Sequence, residues 1–206
     1  MLVTAGPTRE RVDPVRFISN YSTGVFGYEI ARQARRAGFK VTLVSGPTAL
    51  EDPEGVKVVR VVSALEMRRA VLKEFGPCDA VVMAAAVGDW RVRSLSKNKI
   101  KRGGSVTLEL AENPDILAEL GRKKGKRVLV GFALESGSLE GNARRKLLRK
   151  NLDMIVANRV SPGRDVFGEV RTDVLVIDRS GGKKVFRGRT KREIAKFIID
   201  KVRTYL

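Results

Sequence analysis

Short runs of β-branched and apolar residues alternate with helical patterns along most of the chain, and few folds accommodate that alternation. Strand, helix, strand in repetition places parallel strands side by side and packs the helices on the faces of one sheet. The strand runs are Leu2–Ala5, Lys40–Ser45, Val56–Val62, Asp79–Ala86, Arg127–Ala133 and Asp153–Ala157. Between them, a helix from about Thr23 to Ala37 carries Phe26, Ile30 and Ala34 on one face and ends at Gly38. A second helix starts at Ser63, with Glu66 three residues on as a capping box. Further helices are predicted from Asp115 to Lys123 and from Leu139 to Lys150. The order predicts an α/β fold with a Rossmann-like, doubly wound, mostly parallel sheet.

The C-terminal third changes character. Asp173–Asp178 and Lys184–Arg187 flank Arg179-Ser180-Gly181-Gly182, which reads as an antiparallel hairpin with a glycine turn. Thr190 and Glu193 form another capping box, opening a final helix whose Ile194, Phe197, Ile198 and Val202 make an apolar face. No linker, repeat or low-complexity segment interrupts the 206 residues, so one domain over 1–206 is expected.

Several function classes are disfavoured by composition. No apolar run approaches the ~20 residues of a membrane span, and Met1 leads straight into the first strand, so neither a membrane segment nor an export signal is expected and the cytoplasm is the expected compartment. Cys78 is alone and the chain has no histidine, which leaves Lys, Arg, Asn, Asp and backbone groups for any chemistry. A net charge of +18 calls for an anionic partner. Nucleic acid is the first candidate, yet the positive residues are spread along the chain without a recognised nucleic-acid motif, and a phosphorylated small substrate on a heat-adapted surface explains the sign as well. A dinucleotide reductase is the other alternative, by fold analogy. Against it, strand one is followed by Gly6-Pro7-Thr8-Arg9 and not G-x-G-x-x-G, and strand two ends in Ser45-Gly46-Pro47 without an acidic residue.

Thr4–Gly27 reads as a strand, a long polar loop and a helix N-terminus, a junction that holds an anion with backbone N–H groups and the helix dipole. Within and beyond it stand, in order, Asp13-Pro14-Val15-Arg16-Phe17-Ile18-Ser19-Asn20, Ser22-Thr23-Gly24, Ala84-Ala85-Ala86-Val87-Gly88-Asp89-Trp90, Lys99-Ile100-Lys101, Asn113-Pro114-Asp115-Ile116 and Gly131-Phe132-Ala133-Leu134-Glu135. This set, running from residue 2 to about 160, closely resembles phosphopantothenoylcysteine synthetase, the ligase of coenzyme A biosynthesis. The resemblance implies that the carboxylate of 4'-phosphopantothenate attacks the α-phosphate of a nucleoside triphosphate, and that the amine of cysteine then displaces the nucleotide. It also implies Mg²⁺ with the nucleotide, without identifying its ligands in the sequence, and a homodimer. A flavin decarboxylase half often precedes this domain; it is absent here, so no flavin is expected in this chain, while a phosphopantothenoylcysteine decarboxylase remains a possible partner or fused domain.

Residue by residue, the resemblance assigns Lys99 to the acyl-nucleotide and its breakdown. Arg91–Gly104 around it has the composition of a mobile lid, or equally of a solvated charged loop. Asn20 and Arg16 fall to the pantothenate half with Ser22 and Gly24, although an Asn before a helix is also a common loop stabiliser. Met83, Ala84, Ala85 and Asp89 fall to the nucleotide, the small side chains allowing close approach; a buried strand of Ala and Val looks the same apart from the Asp. Asn113, Pro114, Asp115 and Ile116 form a turn into a helix, readable also as an Asn N-cap with Pro at N1. Phe132 is placed beside the base, or in the core. Lys146 and Lys150, four apart on one helical face, are assigned to the triphosphate, though the run Ala143–Lys150 reads equally as a solvated face. Tyr21, Gly88 and Glu112 depart from the family pattern, which commonly has His, Ala and Lys there. Members with Asn-Pro-Asp-Ile and the two lysines generally use CTP, which is the expected nucleotide.

Overall fold

The computed structural model describes residues 1–160, 167–168 and 170–206. Its elements in chain order are β1 (Leu2–Ala5), β2 (Arg9–Arg11), β3 (Phe17–Ser19), α1 (Val25–Arg36), β4 (Thr42–Ser45), β5 (Lys57–Arg60), α2 (Ala64–Phe75), β6 (Ala80–Met83), β7 (Trp90–Val92), β8 (Leu110–Glu112), α3 (Ile116–Arg122), β9 (Val128–Glu135), α4 (Leu139–Arg149), β10 (Met154–Arg159), β11 (Thr172–Asp178), β12 (Lys183–Arg189) and α5 (Lys191–Arg203). Eight strands form one sheet in the order β12-β11-β10-β9-β6-β1-β4-β5. Six are parallel, and β11 and β12 add on antiparallel.

Counting the parallel strands alone, the order is third, second, first, fourth, fifth, sixth, the doubly wound arrangement expected from the alternation. The chain leaves β1 through α1 to pair β4 on one side, and returns through α2 to pair β6 on the other, with Leu2 opposite both Thr42 and Val81. A crevice therefore opens beyond the carboxyl ends of β1 and β6, where successive connections run in opposite directions. Alternation along the strands fills both faces. Val3, Leu43, Val82, Val130 and Val156 pack toward α1 and α5, with Tyr28, Ile30, Ile194 and Ile198. Leu2, Val44, Val81, Leu129 and Ile155 pack toward α2, α3 and α4, with Met67, Val71, Leu120 and Leu147.

Caps fix the helix starts. Thr190 and Glu193 make the full reciprocal box of α5. At α2, Ser63 Oγ accepts from Glu66 N at 3.3 Å, but the Glu66 carboxylate reaches past Ser63 to accept Val62 N at 2.8 Å, so the box closes one residue early. Two polar stretches read as loops contain strands. Arg9–Arg11 and Phe17–Ser19 form a hairpin, and Trp90–Val92 pairs Leu110–Glu112 as a second one. Charge at Arg9, Arg11 and Arg91 hides both from a hydrophobic pattern. The first is nevertheless anchored, because the buried Glu10 side chain accepts Ala64 N at 2.9 Å.

Candidate functional site

A cavity of about 690 Å³ occupies the switch-point crevice. One wall is the start of α1. Gly24 precedes it at φ +84°, a left-handed conformation natural to glycine, and a Cβ there would stand 2.7 Å from Thr48 Cγ2. The first intrahelical bond runs from Tyr28 N to Gly24 O at 3.1 Å, leaving the N–H groups of Val25, Phe26 and Gly27, all cavity-lining residues, without helical acceptors. No acidic residue occupies this first turn, so the helix supplies no side-chain anion of its own to its positive end. Asn20 and Ser22 border the same wall. Asn20 Nδ2 donates to Ala86 O at 2.8 Å, which ties the hairpin arm to the segment after β6.

That segment, Met83 to Trp90, forms the floor. It is pinned to the β1 loop by Ala85 N to Thr4 Oγ1 at 3.1 Å and Gly88 N to Thr8 Oγ1 at 2.9 Å, so two buried threonines set the backbone path. Asp89 is exposed at its end, and its backbone carbonyl accepts Asn113 N at 2.8 Å. Asn113 is not the N-cap of α3. Its Nδ2 donates to Gly88 O at 2.8 Å, locking two cavity segments together, while Asp115 caps the helix by accepting Ala118 N at 2.9 Å. Pro114 and Ile116 complete this edge.

The opposite wall carries the lysines of α4. Lys150 Nζ lies 2.8 Å from Asp115 Oδ2, and Lys146 Nζ lies 2.6 Å from Glu135 Oε1, with Asn142 donating to the other Glu135 oxygen at 2.7 Å. Burial pushes the Asp115 and Glu135 carboxyls up, but the lysine ammonium groups, with Ala118 N–H at Asp115 and the Asn142 amide at Glu135, outweigh it and hold both below their ordinary values. Each lysine therefore waits at the cavity already oriented. Phe132 lines the cavity with its ring 4.9 Å from that of Phe26, edge to face, so core packing and site lining meet in one residue.

Of the residues assigned from sequence, Asn20, Ser22, Gly24, Met83, Ala84, Ala85, Asp89, Asn113, Pro114, Asp115, Ile116, Phe132, Lys146 and Lys150 share this one hollow. Arg16 and Lys99 do not line it. Arg16 is tied to Asp13 and to Ile100 O, and Lys99 is exposed on the β7–β8 arm. Among the polar lining residues not assigned from sequence are Asn158 and Lys191. Asn158, at the end of β10, donates to Thr172 Oγ1 at 3.3 Å while its buried Oδ1 has no partner among the described residues, and an Asn ending the apolar run Met154–Ala157 was the available signal. Lys191 is buried beside the cavity and donates to Gly168 O at 2.5 Å. A cation in the first turn of a helix opposes the dipole, and that was its signal. Among the described residues no cluster of three or more His, Cys, Asp or Glu is arranged to hold a metal, and no helix is long and apolar enough to cross a membrane.

Known proteins match this chain along its length. The family described as DNA/pantothenate metabolism flavoprotein C-terminal domain matches residues 1–206. The chain is 42% identical over 204 residues to the coenzyme A biosynthesis bifunctional protein CoaBC of Bacillus subtilis (strain 168), covering 98% of this chain and 50% of that protein. It is 44% identical over 207 residues to a cysteine/cysteine sulfinic acid decarboxylase of an unknown prokaryotic organism, covering 99% of this chain and 58% of that one. It thus spans between half and three-fifths of the length of these relatives. A crystal structure of the C-terminal domain of a CoaBC protein superposes with a TM-score of 0.85 at 39% identity, over 98% of this chain and 93% of that one. Matched from its first residue to its last, the chain belongs to the DNA/pantothenate metabolism flavoprotein C-terminal domain family.

Proposed function

We propose that this chain is a phosphopantothenate–cysteine ligase of coenzyme A biosynthesis, working with CTP in the cytoplasm. One observation carries the reading: four separate segments bring Asn20, Asp89, Asn113 and the pair Lys146 and Lys150 into a single hollow at the switch point, in a chain whose relatives include CoaBC proteins. In the first step a carboxylate oxygen of 4'-phosphopantothenate attacks the α-phosphorus of CTP. The bond to the bridging oxygen breaks, pyrophosphate departs and an acyl-cytidylate remains. In the second, the cysteine amine attacks the acyl carbon, the carbon–oxygen bond to phosphate breaks, CMP leaves and the amine's proton passes to water.

Negative charge gathers in both steps, so the residues act by placement and electrostatics more than by proton transfer. Lys146 and Lys150 face the triphosphate. The N–H groups at the start of α1 that lack helical acceptors, with Ser22 and Gly24, suit the phosphopantothenate end, and Asn20 hydrogen-bonds the acyl oxygen. The small Ala84 and Ala85 let the nucleotide approach the backbone, and Phe132 flanks the base. A Mg²⁺ ion bound through phosphate oxygens needs only one or two protein carboxylates, and Asp89, which makes no ion pair among the described residues, fits that need. Bound there, the ion would neutralise phosphate charge.

Lys99 and Arg16 are read as serving the site of a second copy in a homodimer. Both stand on arms that also expose Phe17, Ile18, Tyr21 (88% exposed), Trp90, Leu95 and Val106, apolar surface of the kind a partner covers. The relatives' greater length and names support a decarboxylase, fused or separate, as the neighbouring enzyme. The test is pyrophosphate release with phosphopantothenate, cysteine, Mg²⁺ and either CTP or ATP. Release that depends on phosphopantothenate and is faster with CTP is expected; none with either nucleotide refutes the ligase, and preference for ATP refutes the nucleotide assignment.

A further inference from the structure

One carboxylate ties the two arms together. Asp13, at the tip of the β2–β3 hairpin, has a fully enclosed side chain. Its Oδ1 accepts Val15 N and Arg16 N, both at 2.8 Å. Its Oδ2 accepts Arg16 Nε at 2.9 Å, Arg16 Nη2 at 2.5 Å and Ile100 N at 3.1 Å. Arg16 Nη2 also donates to Ile100 O at 2.6 Å. Both backbone polar groups of Ile100 are thus gripped by one ion pair from more than 80 residues away in sequence. A second tie, Ser96 N to Val12 O at 3.3 Å, holds the other end of the same stretch, and Ser96 Oγ donates to Asn98 O at 2.6 Å. Residues 97–99 form an exposed span between two fixed points, and Lys99 adjoins the tighter one.

An Asp opening a turn needs only the two Oδ1 bonds. The Oδ2 side, turned toward Ile100, is surplus to the hairpin and acts on the other arm. Burial by itself would push the Asp13 carboxyl up; the converging donors outweigh it and hold the group well below the ordinary carboxylate range, so the clamp stays charged through neutral pH.

We infer that Asp13, with Arg16 as its counter-ion, is a positioning residue that sets where Lys99 stands. The inference deepens the ligase reading and rests on it. The test is a double-variant cycle on the full chain with phosphopantothenate, cysteine, Mg²⁺ and CTP, joined to hydrogen exchange at the Ile100 amide. Asp13→Asn is expected to melt cooperatively, to lose about 10- to 100-fold in turnover, as a misplacement of about an ångström does, and to exchange Ile100 N–H faster. The KM for CTP stays within about twofold, since the nucleotide contacts are untouched. The Asp13→Asn/Lys99→Ala double variant is no slower than Lys99→Ala alone, because both act through the same ammonium group. Should Asp13→Asn fail to fold, an amide-to-ester replacement at the Ile100 nitrogen removes only the N–H that Oδ2 accepts, on an arm outside the core, and reproduces the loss. Wild-type turnover in folded Asp13→Asn or in the Ile100 ester, or losses that multiply in the double variant, overturn the inference. Wild-type protein that releases no pyrophosphate with CTP or ATP overturns the ligase reading itself, and this role with it.

Discussion

Gly27→Ala tests whether the contact between α1 and β1 both holds the fold and places the site. A Cβ at Gly27 would stand 2.5 Å from Ala5 Cβ, 2.7 Å from Thr4 O and 2.9 Å from Ala5 Cα, all closer than real Cβ atoms come. Restoring an ordinary 3.4 Å separation from Ala5 means moving the start of α1 by about 1 Å. Two of the three obstacles are backbone, so no side chain can swing aside. Overpacking of this kind costs about 3 kcal/mol at the upper end of its range, and alanine's better helix propensity returns about 1 kcal/mol. The net loss is about 2 kcal/mol, or about 4–8 °C in Tm for a chain of this size. The same shift carries the N–H groups of Val25, Phe26 and Gly27 off their target, and pyrophosphate release is expected to fall on the order of 100-fold. Gly76→Ala is the matched control, because its backbone is right-handed helical and no atom lies within 4 Å of the added carbon; it should leave stability unchanged or raise it by about 0.5 kcal/mol. A Gly27→Ala protein that melts with or above the wild type would refute the argument from close approach.

Lys150→Ala should raise the KM for CTP on the order of tenfold, as loss of one charge-assisted hydrogen bond does; initial rates against CTP concentration check it, and an unchanged KM removes Lys150 from the nucleotide. Thr190→Ala should cost about 1 kcal/mol by opening the α5 capping box, read as a lower urea midpoint with an unchanged slope. Glu119, gripped by Arg68 at 2.7 Å and by Lys123 at 2.9 Å, has its carboxyl lowered from 4.5 to about 2, the bond to Arg68 being the larger cause. Its ionised form is the one favoured by folding, so its contribution is complete above pH 4.5 and lost as the pH falls toward about 2. The urea midpoints of wild type and Glu119→Gln should therefore differ at pH 7 and converge in acid; a constant difference contradicts the assignment.

The central sheet was legible because burial on both faces leaves an unmistakable trace: Leu2–Ala5, Ala80–Met83 and Met154–Ala157 are apolar at every position or nearly so. The two hairpin arms left no such trace. They pack outside the core, so Arg9, Arg11 and Arg91 are tolerated in strands, and only long-range bonds such as Glu10 to Ala64 N give them a place. The grouping of Asn20, Asp89 and Lys146 was legible through the family resemblance, which named all three, and they line one hollow. The site was less legible at Asn158 and Lys191: each left a local signal, but that the end of β10 and the start of α5 border the crevice is a fact of topology. Asn113 shows a third case, in which the residue lines the cavity and the alternative reading of it as a helix cap falls to Asp115 instead.

The chain's charge and the cavity's charge are separate quantities, and the distinction changes how anion binding should be understood. Against +18 for the chain, the charged lining residues among those described are three lysines (146, 150 and 191) and three carboxylates (Asp89, Glu112 and Asp115), a formal sum of zero. The excess positive charge lies elsewhere, where it can speed the arrival of an anionic substrate but is screened beyond about 10 Å at ordinary salt. Retention and alignment must come from within the hollow. There Lys146 and Lys150 are held by Glu135 and Asp115 before any ligand is present, so much of the rotamer entropy of each lysine, up to about 2 kcal/mol, is already lost on folding and need not be lost on binding. The partner carboxylates weaken the field that an arriving phosphate feels, but a partly exposed pair such as Lys150 with Asp115 is itself worth only about 1 kcal/mol or less, and a polyphosphate offers more charge than one carboxylate. Placement therefore outweighs field strength in this cavity, which is the balance that the proposed joining of two anions would require without a histidine to help.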